Sequence, residues 1–577
     1  MRLRCRLGTT LVLLPALVAG ARASAQDIVP GHCRGTVAIA VADLPPPRTM
    51  TGIGTAHIAI TTRVPMAQRF FDQGVNLLHA FWDTEAYRAF REAARLDPDA
   101  AMPQWGLYMA LAQNGQEMAG ERAAALARAG QLAPRASAHE QYYLRAIALQ
   151  ADPSKGRAAY VAEMEALIDR FPADVEAQLL LANLLSTPAG SYAPDGRPRD
   201  GKLYGQAILR NLLRTHPNHA AVHHYWIHAV ENGPRPQDGL ASAAALVRLA
   251  PASGHLRHMP GHLYYRLGRY DAARRVFLES MRVDERYMRA EQVHPINNWN
   301  YVHNLDYLVA TEAESGRYDA ALAHAERLRD LHADPARANA SGIGYLIFGG
   351  HTAVARLQLR FGRWHEAADS IDAASRAITV ASPLLRGYYQ GLRFYALGMS
   401  AAQHGRVEEA ALRLRELKAV VDPLAAEKVQ AGGDWYFRHA VRVLQVQVRE
   451  LEGMAASARG EHERALALLR EAVDAEKNLG YWEPPHYARP VLESLADAAV
   501  RAGRLDTARE AYTAVLALRP NSYHAARGLR RVARSPGRSA SRAAPADSRR
   551  TPQPPAAASA RPPSSPDRAG GRRTAAS

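Results

Sequence analysis

Residues 268–273 read GRYDAA, and residues 316–321 read GRYDAA again. Looser copies follow as GRWHEAA at 362–368, GRVEEAA at 405–411, GEHERAL at 460–466 and GRLDTA at 503–508. Each copy separates two stretches with helical apolar periodicity. Its glycine suits a tight turn that ends one helix, and its small residue opens the next helix where the two cross closely. A motif that returns every few dozen residues marks a stack of like units rather than one unique core. The pattern predicts an all-α chain of paired helices from Pro65 to about Val532.

The first copy of the unit is spelled most fully at 67–98. There Phe70, Gly74, Ala86, Phe90, Ala93 and Pro98 fall where a helix–turn–helix unit wants bulky, small and helix-ending residues. The sequence resembles the tetratricopeptide repeat (TPR) superfamily in this. The resemblance implies antiparallel helix pairs stacked into a right-handed superhelix with a concave inner groove. A finer resemblance, over about 52–533, is to exported bacterial TPR proteins of largely unknown function. It rests on GTAHIAITT, FDQGVNLLHAFWDTEAYRAFREAARLDPDAAMPQWGLYMAL, HHYWIHAVE, GHLRHMPGHLYYRLGRY, YVHNLDYL and YWEPPHYARP. The chain departs from that pattern at Asp306, where a second histidine is common, and at HYARP, where a bulkier aromatic run is. The expected fold class is an all-α, helical-hairpin (TPR-like) solenoid with a disordered C-terminal tail. Fold of this kind does not fix function.

The two ends read differently. MRLRCR, the short apolar core LGTTLVLLPALVAGA and the small-residue site Ala23-Ser24-Ala25 make residues 1–25 a signal peptide. Its apolar run is too short and interrupted to suit a membrane span, and no longer one follows. A periplasmic or secreted chain is expected. Cys5 leaves with the leader, so Cys33 is the sole mature cysteine and reads as an unpaired thiol. Residues 26–62 are a Pro- and Gly-punctuated extended lead-in. Helical repeats follow at 63–250 and 251–533. Residues 534–577, rich in Pro, Ala, Ser and Arg, cannot bury enough surface to offset ordering entropy. This tail carries nine Arg and two Asp and the leader four Arg, so of the net +16 only about +5 belongs to 26–533. The tail is read as solubilising, with contact to acidic surfaces as the alternative.

Chemistry concentrates in one region. Residues 216–303 hold ten of the 23 histidines, where even spreading would give three or four. In GHLRHMPGHLYYRLGRYDAA (254–273), a turn of 100° per residue puts His255, His258 and His262 within about a sixth of the helix circumference. Gly261, Tyr264 and Gly268 occupy a different, packing face. A shift of 34 residues, the TPR period, carries His258 onto His224 and His262 onto His228. A shift of 48, the GRYDAA spacing, carries His255 onto His303 and His258 onto Asp306. Three successive first helices therefore present histidines on equivalent faces. Helix axes lie about 8–10 Å apart, so these side chains can converge. His79 shares the angle but lies several repeats away. Pro260, inside the stripe, removes a backbone hydrogen bond and tends to kink the helix.

Neutral imidazole is the commonest protein ligand of Zn, Cu, Ni and Fe, and i, i+4 pairs reach one ion from one helix. The expected metal ligands are His224, His228, His258, His262 and His303, with His255, Glu231 and Asp306 as second choices. A transition metal or small ligand in the groove is the favoured reading. The alternatives are a metal-free scaffold docking a protein or peptide in the groove, and a metal-dependent hydrolase or oxidase using the same site. The bland reading of the histidines, polar packing repeated by shared ancestry of the repeats, stands beside these. YWEPPHYARP (481–490) reads as a loop stop, with Glu483 or His486 capping the groove as the lesser option; TPAGSYAPDGRPRDG (187–201) reads as a plain long loop. GxSxG, HExxH, CxxC and phosphate-binding glycine loops are absent, and aromatic and basic residues do not interleave as a nucleic-acid surface does.

Overall fold

All six glycines of the recurring turn adopt left-handed backbone, with φ between 66° and 79° at Gly268, Gly316, Gly362, Gly405, Gly460 and Gly503. A side chain would be strained there, so the motif glycine is a helix stop for a steric reason. Five residues on, Ala273, Ala321, Ala367, Ala410, Ala465 and Ala508 are all buried. In several hairpins a glycine also faces a large side chain across the pair. A Cβ on Gly74 would come within 2.5 Å of the Phe90 ring, and one on Gly261 within 2.2 Å of Phe277.

These facts come from a computed structural model that describes residues 45–112, 118–187, 191–193, 195–199, 201–331, 349–377, 383–426 and 435–534. The expected leader at 1–25, Cys33 and the tail from 535 lie outside the described residues, as do parts of the 187–201 insertion. Among the described residues the regular structure is helical throughout, apart from an isolated bridge between Tyr192 and Pro198. The fold is a helical-hairpin solenoid.

Residues 45–62 run extended along the first hairpin. The Asn76 side chain accepts from the Ala56 amide and donates to its carbonyl, both at 2.9 Å, as a neighbouring strand would. Ile53, Ile58 and Ile60 are buried by this docking. The Ala252 amide donates to the Gly52 carbonyl, tying the lead-in to the turn before the helix Gly254–Arg266.

Hairpins distant in sequence also touch. The turn after the first helix, Pro65–His79, reaches the helices Tyr270–Glu291 and Trp299–Glu314. Trp299 Nε1 donates to the Phe81 carbonyl at 3.1 Å, and the Trp82 and Tyr287 rings lie 4.5 Å apart. From the other end, Asn521 donates to the Gly268 carbonyl and Arg519 to Glu314. A buried ion network of Arg360, Glu314, Glu493 and Ser522 sits at that junction. Where the histidines lie, turns distant in sequence help to line the expected concave groove.

Candidate metal centre

Three helices bring the histidines together. Ala220–Glu231 carries His224 and His228, Gly254–Arg266 carries His255, His258 and His262, and Trp299–Glu314 carries His303. Ser253 caps the second of these by accepting from the Leu256 amide, and Asn298 caps the third through the Tyr301 amide. The second helix runs on through Pro260, so its histidines keep one stripe. All six imidazoles are at most 4 % exposed, as are Glu231 and Glu483.

The outer nitrogens are fixed by oxygen acceptors. His224 Nδ1 donates to the His79 carbonyl at 2.7 Å. His228 and His262 Nδ1 are hydrogen-bonded to the two oxygens of Glu231, at 2.5 and 2.7 Å. His255 and His258 Nδ1 face Asn300 and Asn304 Oδ1, at 3.3 and 2.7 Å. Both amide orientations are set from behind. Asn300 and Asn304 Nδ2 donate to Asp284 Oδ2 and to Ser280 Oγ. The Ser280 hydroxyl spends its proton on the Gly254 carbonyl.

Such a network assigns the proton of His224, His255 and His258 to Nδ1, leaving Nε2 as a lone pair turned inward, while His228 and His262 share their outer protons with Glu231. The inner nitrogens face each other in two pairs: His258 and His262 Nε2 at 2.5 Å, and His224 and His255 Nε2 at 3.1 Å. Two acceptors at those distances repel unless a cation or shared proton lies between them. Protonation is opposed by the surroundings. Burial depresses His258 to about 3 and holds His255 and His262 well below the ordinary range, with neighbouring histidines adding to the effect. Neutral imidazoles with oxygen-held outer nitrogens are the form that binds a metal.

The donor atoms fall into three groups, each within 4.8 Å: His224, His228 and His255; His258, His262 and His303; and His228, Glu231 and Glu483. His255, a second choice from sequence, is therefore a full member. Asp306, expected as a ligand, belongs to none of these groups, and its Oδ1 accepts from Arg356 at 2.9 Å. The 48-residue shift put it level with His258, but the helix turns it toward the next repeat, where a guanidinium meets it. Glu231 is held by both of its oxygens as an outer anchor, and burial pushes its carboxyl up to about 8 against the pull of Glu483, Lys202 and Arg266.

The walls are aromatic. Phe81 packs on His224, His228 and His255, Trp299 on His255, and Tyr307 on His258 and His262. Behind His224, His79 bridges Tyr225 and Glu176 at 2.8 Å each, and His219 reaches the second Glu176 oxygen. Burial works against the Glu176 charge, yet the hydrogen bonds from His219 and His79 hold it well below the usual carboxylate range. The YWEPPHYARP loop, read from sequence as a stop, supplies Glu483, 3.5 Å from His262 Nδ1. Sequence reasoning passed over Asn300, Asn304 and Asp284. Their one signal was the i, i+4 asparagine pair on the helix of His303.

Residues 255–287 match the family model of the tetratricopeptide repeat. Similar solved structures include the APC/C hetero-tetramer Cut9–Hcn1, at 14 % identity over 81 % of this chain and 76 % of that one, TM-score 0.28. The TPR domain of P58(IPK) gives 12 % over 81 % and 97 %, TM-score 0.19. The human IFIT1 dimer with m7Gppp-AAAA gives 13 % over 82 % and 92 %, TM-score 0.33. No curated protein matches the chain. Among the described residues no helix is long and apolar enough to cross a membrane.

Proposed function

We propose that this tetratricopeptide-repeat chain is a metalloprotein whose interior histidine chamber binds a transition metal. The observation that carries the reading is the shared orientation of five buried imidazoles, each with Nδ1 on an oxygen and Nε2 facing inward, four of them meeting in two close Nε2 pairs. Outer-shell oxygens of this kind fix the tautomer and orientation of ligating histidines. A donor set dominated by imidazole suits Zn, Cu, Ni or Fe and not the oxygen-seeking Mg or Ca. The leader-like segment at 1–25 places this function outside the cytoplasm in our reading, with the basic tail solubilising the exported chain.

The repeat match at 255–287 favours a second reading, a metal-free scaffold that docks a protein or peptide. The matched repeat is the one that carries His255, His258 and His262, so the two readings make opposite claims about the same helix. Elemental analysis of the purified full chain separates them, with His258→Ala/His262→Ala beside the wild type. We expect near-stoichiometric metal in the wild type and its loss or reduction in the variant. A chelator should lower the melting temperature, since a ligand held at 100 times its Kd stabilises the folded state by about 2.7 kcal/mol. No metal in either protein, with equal melting temperatures, would return the chain to the scaffold reading and make a partner pull-down the next step.

A further inference from the structure

We infer, resting on the metal-binding reading, that the centre is binuclear: His224, His228 and His255 hold one ion, and His258, His262 and His303 hold a second. Each trio has the same construction. One first helix supplies an i, i+4 pair, and the first helix of the next repeat supplies the third imidazole. The site is thus a property of the interface between successive repeats. Two successive interfaces carry it, so the stacking that duplicates the packing also duplicates the site.

The donor atoms gather in two histidine groups. Within the trios, the Nε2 pairs approach to 2.5 and 3.1 Å. Ring centroids lie 4.5 to 6.0 Å apart within the trios and 5.7 to 6.2 Å between them, so it is the donor nitrogens, not the rings, that group in two sets. Among the described residues, no group of mutually close donors draws histidines from both trios. Three imidazoles per ion leave a fourth position, the usual complement for a four-coordinate metal. The remaining group, His228 with Glu231 and Glu483, is not an independent third site. It shares His228 with the first trio, and Glu231 is already engaged by both of its oxygens.

Two anchors tie the trios together. Glu231 holds His228 of the first trio and His262 of the second. Asp284, acting through Asn300 and Asn304, holds His255 of the first and His258 of the second. Each trio therefore leans on both anchors, and a shift of either carboxylate reaches both ions. Glu231, Glu483 and Asp284 place three buried carboxyl groups around the imidazoles; burial raises the pKa of Glu231 and Asp284, and a pair of cations nearby would favour their ionised forms.

The test is a count. Metal-stripped full-length protein is loaded with Zn2+, freed of excess and analysed for zinc per chain. The expected result is two in the wild type and one each in His224→Gln/His228→Gln and His258→Gln/His262→Gln, with helical circular dichroism retained. One zinc in the wild type overturns the binuclear centre while leaving a metal site. Two zincs retained in either variant also overturn it, because the ions would then sit elsewhere. No zinc on folded wild type removes the metal reading altogether. The wild-type count decides even where a double variant fails to fold.

Discussion

Asn304 illustrates how much the chamber depends on groups that never face its interior. Its Oδ1 accepts from His258 Nδ1 at 2.7 Å, while its Nδ2 donates to Ser280 and Asp284. A side chain without an acceptor frees the imidazole to move its proton to Nε2, which removes the lone pair from the interior. Asn304→Leu should therefore weaken zinc binding about 10–100-fold, the usual cost of losing an outer-shell partner. Competition against a chromophoric chelator measures this. Unchanged affinity would mean that the tautomer is set by something other than the amide.

At the scale of the helix pair, packing and site are separable. Gly74 lies in the first hairpin, where a Cβ would meet the Phe90 ring at 2.5 Å, backed by Phe71 and Trp105. Gly74→Ala should cost about 1–3 kcal/mol, as overpacking usually does. It should leave zinc per chain unchanged, because none of its neighbours is a ligand. Urea denaturation and elemental analysis of one preparation report both numbers. A loss of metal in parallel with stability would show that the first hairpin closes the chamber more tightly than its Phe81 contacts suggest.

The whole molecule is tied by contacts between units far apart in sequence, and one of these should respond to pH. His524, in the last hairpin, has its Nε2 3.0 Å from the Ala313 carbonyl of the central helix. Burial pushes its pKa down to about 3, helped by Arg360 and Arg489, while Glu314 and the carbonyl pull it up. The unfolded chain takes up this proton near the ordinary 6.5 and the folded chain resists it. The contribution to stability is thus full above about pH 6.5 and is lost as pH falls toward 3. At pH 4.5, two units below the unfolded value, the loss from this residue is on the order of 3 kcal/mol. Comparing urea midpoints at pH 7 and 4.5, His524→Gln should show a smaller drop than the wild type. An equal drop would place the acid sensitivity elsewhere.

The sequence by itself determined what depends on neighbours a few residues apart. The turn glycines, the buried alanines after them and the histidine stripe are consequences of helical periodicity, and helical angle placed His255, His258 and His262 together despite Pro260. The repeat period then aligned His224 and His228 with them, because like units stack alike. Periodicity carries no information about how far the superhelix curls. Only the tertiary structure decided that Phe81 and Glu483 come from distant turns to wall the groove, and that the His79 carbonyl, 145 residues before His224, fixes that ring. The same holds for Asp306, whose fate turned on a guanidinium in the next repeat. Burial and outer-shell oxygens arise where separate segments meet, so they belong to the path of the whole chain rather than to any stretch of it.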